Sequence, residues 1–207
     1  MDVIVVEICT RILSGNIEEA IALLERYFPN VLTPEDRVLR EATHSTVPQP
    51  VLRYIPPTTV EPHHLRLNLH MQMFIEAART VPLPYRSEMG EINTASPSYR
   101  PRRQRVSQFS PSERAADEPD AGLLEHAKDL ISEAQMLPEP DDRSKFIVEI
   151  ANGLCALLAY PIPEEIKEMQ SYLSYERREG VANQIDNAIL RRPICLFPMP
   201  FCVLTFP

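Results

Sequence analysis

The chain has 207 residues, about one ordinary domain, and carries 29 acidic against 21 basic side chains, for a net charge of −8 at pH 7. That balance makes a nucleic-acid or polyphosphate binder a poor first reading. Twenty-one prolines against 5 glycines disfavour phosphate-cradling loops and two-residue hairpins, while 44% apolar residues suffice for a core.

Proline breaks helix interiors, so proline-free windows mark where helices form: 1–28, 63–81, 120–137, 141–160 and 164–192. The intervals 29–62 and 82–119 are punctuated by proline and read as two long disordered loops. No run alternates polar and apolar residues as a sheet would, so the fold class is all-α.

In the first window Val5, Ile8, Cys9, Ile12 and Leu13 line one helix face. Ser14-Gly15-Asn16 interrupts it: Gly15 suits the left-handed closing residue, and Asn16 suits the opening of a second helix. Glu19, three residues on, completes a pattern like a capping box. Ile17, Ala20, Ile21, Leu24 and Phe28 form the second apolar stripe, and the short connection predicts an antiparallel helical hairpin.

A third helix spans Leu65 to Thr80 with Leu67, Met71, Phe74, Ile75 and Ala78 on one side. Asp120 is positioned to cap a fourth, with Leu123, Leu124, Ala127, Leu130, Ile131 and Ala134 inward. A fifth, Asp142 to Tyr160, is apolar over more than half its circumference and is expected to be the buried centre of its bundle. Ser174 is placed to cap a sixth, in which Val181, Ile185, Ala188 and Ile189 face inward, with Ile166 and Met169 adding one turn before it.

Residues with catalytic potential are few. No GxSxG, HExxH or Walker loop occurs. Cys155 lies on an apolar helix face, the usual setting of an inert thiol. His63, His64 and His70 form the sole histidine cluster, with no cysteine nearby to complete a zinc site. The carboxylate pairs Glu18-Glu19, Asp141-Asp142 and Glu164-Glu165 fall where helices begin and answer the helix dipole. No cofactor is implied.

Four cysteines (Cys9, Cys155, Cys195, Cys202) without a CxxC pair favour a reduced compartment, cytoplasmic or nuclear. Asp2 and Glu7 argue against a signal peptide. The apolar stretch 193–207 is too short and proline-broken to span a membrane as a helix. Between Ile92 and Ser112 lie four arginines and no acid, beside Ser96-Pro97 and Ser110-Pro111. That composition reads as a basic solvated linker. The alternative is a recognition loop for an importin, or for a proline-directed kinase acting on Ser96 and Ser110.

The stretch from Ile12 through Ser14-Gly15-Asn16 to Phe28-Pro29 resembles the CTLH motif, and Leu65 to Phe74-Ile75-Glu76 is similar to the segment that follows it in that family. Gly153 to Pro161 and Glu176 to Leu190 resemble the CRA region. Together they resemble the RanBPM-type scaffold subunits of the CTLH, or GID, ubiquitin ligase. The resemblance implies CTLH-like helices over 1–81 with a proline-rich insertion at 29–62, a linker over 82–119, CRA-like helices over 120–190 and an atypical tail at 191–207. It also implies that SPRY and LisH parts are missing and that the C-terminus is truncated.

The function so implied is a non-catalytic scaffold or adaptor in ubiquitin-dependent degradation, an elongated helical bundle forming homo- or hetero-oligomers with subunits that carry LisH, CTLH and CRA helices. Neither nucleic acid nor membrane is among its partners. Candidate contacts are Ile8, Ile12, Ile17, Ile21 and Leu24 on the hairpin, Phe74, and Leu154, Leu157, Leu158, Ile185 and Ile189 on the CRA-like helices. The alternatives are a small helical enzyme using Cys155 or a His63/His64/His70 metal site, and an inactive fragment of the scaffold.

Overall fold

The structure, a computed structural model, describes residues 2–33, 59–86, 92–93 and 118–191. These residues form an all-α fold. The helices are α1 (Asp2–Ser14), α2 (Ile17–Tyr27), α3 (Pro29–Leu32), α4 (Pro62–Ala78), α5 (Glu118–Gln135), α6 (Pro140–Val148), α7 (Ala156–Ala159), α8 (Lys167–Leu173) and α9 (Tyr175–Arg191). A π-helical turn, Glu149–Leu154, joins α6 to α7, and a 3-10 turn, Pro163–Glu165, precedes α8. Most of both proline-rich intervals, Ser96 and Ser110 among them, lies outside the described residues, as does 192–207.

The predicted hairpin forms, and its turn is a Schellman closure. Gly15 takes φ +86°, its amide donates to the Ile12 carbonyl (3.0 Å), and the Asn16 amide donates to Arg11 (2.8 Å). The capping box does not form: the Asn16 side chain caps nothing, and Glu19 instead accepts from Arg11 Nη1 at 2.7 Å. Arg11, already paired with Glu7 one turn back, reaches across the turn and takes the carboxylate first.

Helix starts differ from expectation for one reason. Pro29, Pro62, Pro140 and Pro163 all stand inside the first turn of the helix they open, where a missing N–H costs nothing. Proline here marks beginnings as well as ends. Likewise α5 begins at Glu118, so Asp120 lies within it rather than capping it. Inside the interval 82–119, β1 (Tyr85–Arg86) and β2 (Ile92–Asn93) make a two-residue antiparallel ladder, pairing Tyr85 with Asn93 and Arg86 with Ile92. Two residues are too few for alternation to show in a sequence.

Two apolar cores lie on either side of α4. Leu65 and Leu69 face a core built with Ile8, Ile12, Ile17, Ala20 and Leu24 of the hairpin, Val31 and Leu32 of α3, and Val181, Ile185 and Ala188 of α9. Leu67, Met71, Phe74, Ile75 and Ala78 face a second core, with Leu123, Leu130 and Ala134 of α5, Phe146 of α6, Ile150 and Leu154 of the π-turn, and Leu157 of α7. Twelve of the 17 residues of α4 are buried, so α4 is the shared wall.

The 142–160 segment is therefore not the buried centre. Phe146, Ile150, Leu154 and Leu157 turn inward, but Val148, Ala151, Asn152 and Ala159 are exposed. The Cys155 amide donates to the Ile150 carbonyl five residues back (2.9 Å), the signature of the π-turn. That wider turn re-phases the helix, and the excess apolar residues go to solvent.

Candidate interaction site and its buried polar hub

One side of α4 carries Asn68, Gln72 and Glu76, spaced about one turn apart, and Arg79 follows just past the helix end; all four are buried. On an ordinary surface helix such a stripe faces water. Here it faces α9 and the segment that follows α4.

Glu76 is the hub. Arg178 of α9 grips it bidentately, Nε donating to Oε1 at 2.8 Å and Nη2 to Oε2 at 2.6 Å. Arg79 Nε donates to Oε2 (2.7 Å) and Gln72 Nε2 to Oε1 (2.7 Å). The remaining Arg178 nitrogen, Nη1, donates to the carbonyls of Leu13 (2.9 Å) and Leu83 (3.2 Å). One guanidinium thus ties the end of α1, the last turn of α4 and the chain beyond α4 to α9. Burial alone would raise the Glu76 pKa, but the donors from Arg178, Arg79 and Gln72 prevail and hold it below its ordinary value.

The hairpin turn fits against this hub. A methyl group at Gly15 would lie 2.7 Å from Arg178 Nη2 and 3.4 Å from Glu76 Oε2. Gly15→Ala is expected to cost about 2 kcal/mol, from the left-handed backbone and from displacing the guanidinium. Urea unfolding followed by circular dichroism reads this directly, and an unchanged midpoint would contradict the placement.

Two further polar sets fasten the cores. Asn68 Nδ2 donates to Gln184 Oε1 (2.9 Å), and Gln184 Nε2 donates to the Thr59 carbonyl (2.7 Å). Two turns earlier on α9, fully buried Arg177 lies over the Tyr172 ring (5.6 Å to its centre) and 4.0 Å from Glu149 of the π-turn, which Tyr172 also hydrogen-bonds. Burial pushes Arg177 down to about 10, against the pull of Glu149, and pushes the Glu149 carboxyl up. Gly153 gives Tyr172 its room: a methyl group there would fall 2.6 Å from the ring carbon bearing the hydroxyl. Gly153→Ala is expected to lower stability by about 1–3 kcal/mol through overpacking, seen as a lower melting temperature.

Glu164 closes the second core at its end. It accepts from the Thr80 amide (2.8 Å), the Val81 amide (2.9 Å) and the Thr80 hydroxyl (2.6 Å). These donors outweigh burial and lower its pKa. Asp141 and Asp142, and Glu18 and Glu19, do stand in first helical turns as expected.

The candidate contact residues are mostly interior. Ile8, Ile12, Ile17, Leu24, Phe74, Leu154, Leu157, Ile185 and Ile189 are buried in the two cores, while Ile21 and Leu158 are half-buried. Exposed apolar side chains sit elsewhere, at Val3 and Val6 of α1, Leu124 of α5, Val148 of α6 and Leu190 of α9. The three clustered histidines separate. His63 is exposed. Buried His64 bonds Thr59 through Nδ1 and lies 3.6 Å from Asp142, while His70 Nδ1 meets Glu133 Oε2 at 2.7 Å. Desolvation lowers the His64 pKa despite Asp142. Cys155 is half-buried, and burial raises its pKa, which disfavours the thiolate.

Among the described residues no group of three or more His, Cys, Asp or Glu side chains is placed to hold a metal ion, and no helix is long and apolar enough to cross a membrane. The sequence matches the family described as the CTLH/CRA C-terminal to LisH motif domain over residues 4–192. No curated protein and no solved structure matches the chain.

Proposed function

Because the chain belongs to the CTLH/CRA C-terminal to LisH motif domain family, a protein–protein interaction domain, we propose that it is a scaffold or adaptor of RanBPM type within a CTLH, or GID, ubiquitin ligase. The observation that carries this reading is the extent of the family match. It runs from α1 to the end of α9, across both cores and the wall between them.

The chemistry agrees. The strongest polar groups, Glu76 and Arg178, are spent on each other and on backbone carbonyls, an arrangement that stiffens a platform. The partners are other ligase subunits bearing LisH, CTLH and CRA helices. Its place of action is the cytoplasm or nucleus, where free thiols such as Cys9 and Cys155 persist.

Affinity purification of the tagged full chain from its own cells tests the proposal. Subunits with LisH, CTLH and CRA helices are expected to co-purify. A folded, well-expressed chain that brings down none of them would overturn it.

A further inference from the structure

Among the described histidines only His64, the third residue of α4, is buried, at 4% exposure. Its ring touches two other segments through both nitrogens. Nδ1 hydrogen-bonds the Thr59 hydroxyl, and Nε2 stands 3.6 Å from Asp142 Oδ2 on α6. The ring centre lies 5.5 Å from that of Phe146, a buried core residue of the same helix. Thr59 in turn ends a polar chain, since its carbonyl accepts from Gln184 of α9, which bonds Asn68 of α4. One imidazole therefore joins the start of α4 to α6 directly, and to α9 through Thr59.

Imidazole is the side chain whose ordinary charge change falls roughly between pH 5 and 8. Neutral, with its proton on Nε2 toward Asp142, the ring accepts from the Thr59 hydroxyl through Nδ1. A second proton removes that acceptor, forces the hydroxyl to turn, and sets a full charge beside the Phe146 ring. The charges facing the ring have both signs. Asp142 and Glu61 favour the charged form, while His63 and Lys145 oppose it. Lys145 also occupies Asp142, Nζ donating to Oδ1 at 3.1 Å, and 3.6 Å is too long for a hydrogen bond from Nε2. Burial decides the balance and favours the neutral ring, so the His64 pKa lies below its ordinary 6.5.

We propose that His64 is an acid-sensitive latch: neutral, it clips residues 59–61 and the first turn of α4 to α6 and α9; charged, it lets that corner open. The latch is independent of ligase membership. The folded state binds this proton less readily than the unfolded chain. Its contribution is thus whole above 6.5 and is lost as pH falls through the lower folded value. Glu76 begins to act only below 4.5, which separates the two effects.

Amide hydrogen exchange in the full chain, followed by NMR, tests the latch at the Leu65 amide, which donates to the Glu61 carbonyl (3.0 Å) in the first turn of α4. After correction for the intrinsic pH dependence of exchange, its protection is expected to fall as pH drops below 6.5, by up to about tenfold per pH unit. The His64 ring is expected to titrate below 6.5 in the same spectra. Unchanged protection in the parent, or a ring that titrates at 6.5 or above, would overturn the proposal without any variant. His64→Gln is expected to abolish the response at Leu65. Asp142→Asn is expected to enlarge it, because a charge that favours the imidazolium is gone. His126 of α5 also has a pKa lowered by burial, and His126→Gln is expected to leave the Leu65 response intact. A response that survives His64→Gln, or that vanishes with His126→Gln, would contradict the latch.

Discussion

The Glu76→Ala chain is expected to lose about 3–5 kcal/mol of folding stability, the cost of breaking a buried charge pair from one side. Arg178 and Arg79 would be left facing each other in the interior, with Arg178 anchored to Leu13 and Leu83 but no longer neutralised. Domains of ordinary stability hold only 5–15 kcal/mol in all, so the unfolding midpoint should fall far. By comparison, Glu19→Ala breaks only the exposed pair with Arg11 and is expected to cost below about 1 kcal/mol. Equilibrium urea denaturation of the two variants beside the parent chain separates the cases.

The same pair sets an acid limit. The Glu76 carboxyl has a folded pKa below its ordinary 4.5, so the folded state binds its proton less readily than the unfolded chain. Its contribution is complete above pH 4.5 and is lost as pH falls through the lower folded value. The parent chain should therefore lose stability in that acid range more steeply than Glu76→Gln, which has no carboxylate to protonate there.

Leu24→Asp is expected to abolish folding. Leu24 is wholly buried in the apolar core that the hairpin and α3 share with α4 and α9. An aspartate there either carries an unpaired charge or takes up a proton and remains an unsatisfied polar group; on top of the lost leucine contacts, the cost is about 5 kcal/mol or more. Far-ultraviolet circular dichroism should show lost helix, and partner pull-down should fail with it. Leu24→Asp that folds and still captures partners like the parent would contradict both the core and the interaction reading. The milder Leu24→Ala, expected to cost about 2–5 kcal/mol, distinguishes packing loss from charge burial.

Much of the fold was legible because apolar residues at three- and four-residue spacings depend only on local geometry. Gly15 announced its turn because only glycine accepts that backbone without strain. Asn16 misled because capping is a competition, and Arg11 captured Glu19 from the neighbouring helix. Pro62 and Pro140 misled because proline is a breaker within a helix and a starter at its first turn.

The polar hub was invisible for a different reason. Asn68, Gln72 and Glu76 follow the spacing of a solvent-facing stripe, and only the arrival of α9 over a hundred residues later turns that stripe inward. One clue was available. A lone carboxylate at the end of a polar stripe, on a helix otherwise apolar on several sides, needs a basic counterpart, and Arg177-Arg178 stand near the start of a helix with an apolar face. The π-turn had no comparable signal: Gly153 is the single residue that hints at the close approach of Tyr172.

Glu76 and Arg178 fasten α4, the wall shared by both cores, to α9, and a double-mutant cycle measures that fastening. Glu76→Met, Arg178→Met and the pair together are unfolded in urea at pH 7. The double variant is expected to be no worse than the poorer single variant, giving a coupling of about 3 kcal/mol. Losses that add to within about 0.5 kcal/mol would mean that the two side chains do not hold each other, and would contradict it.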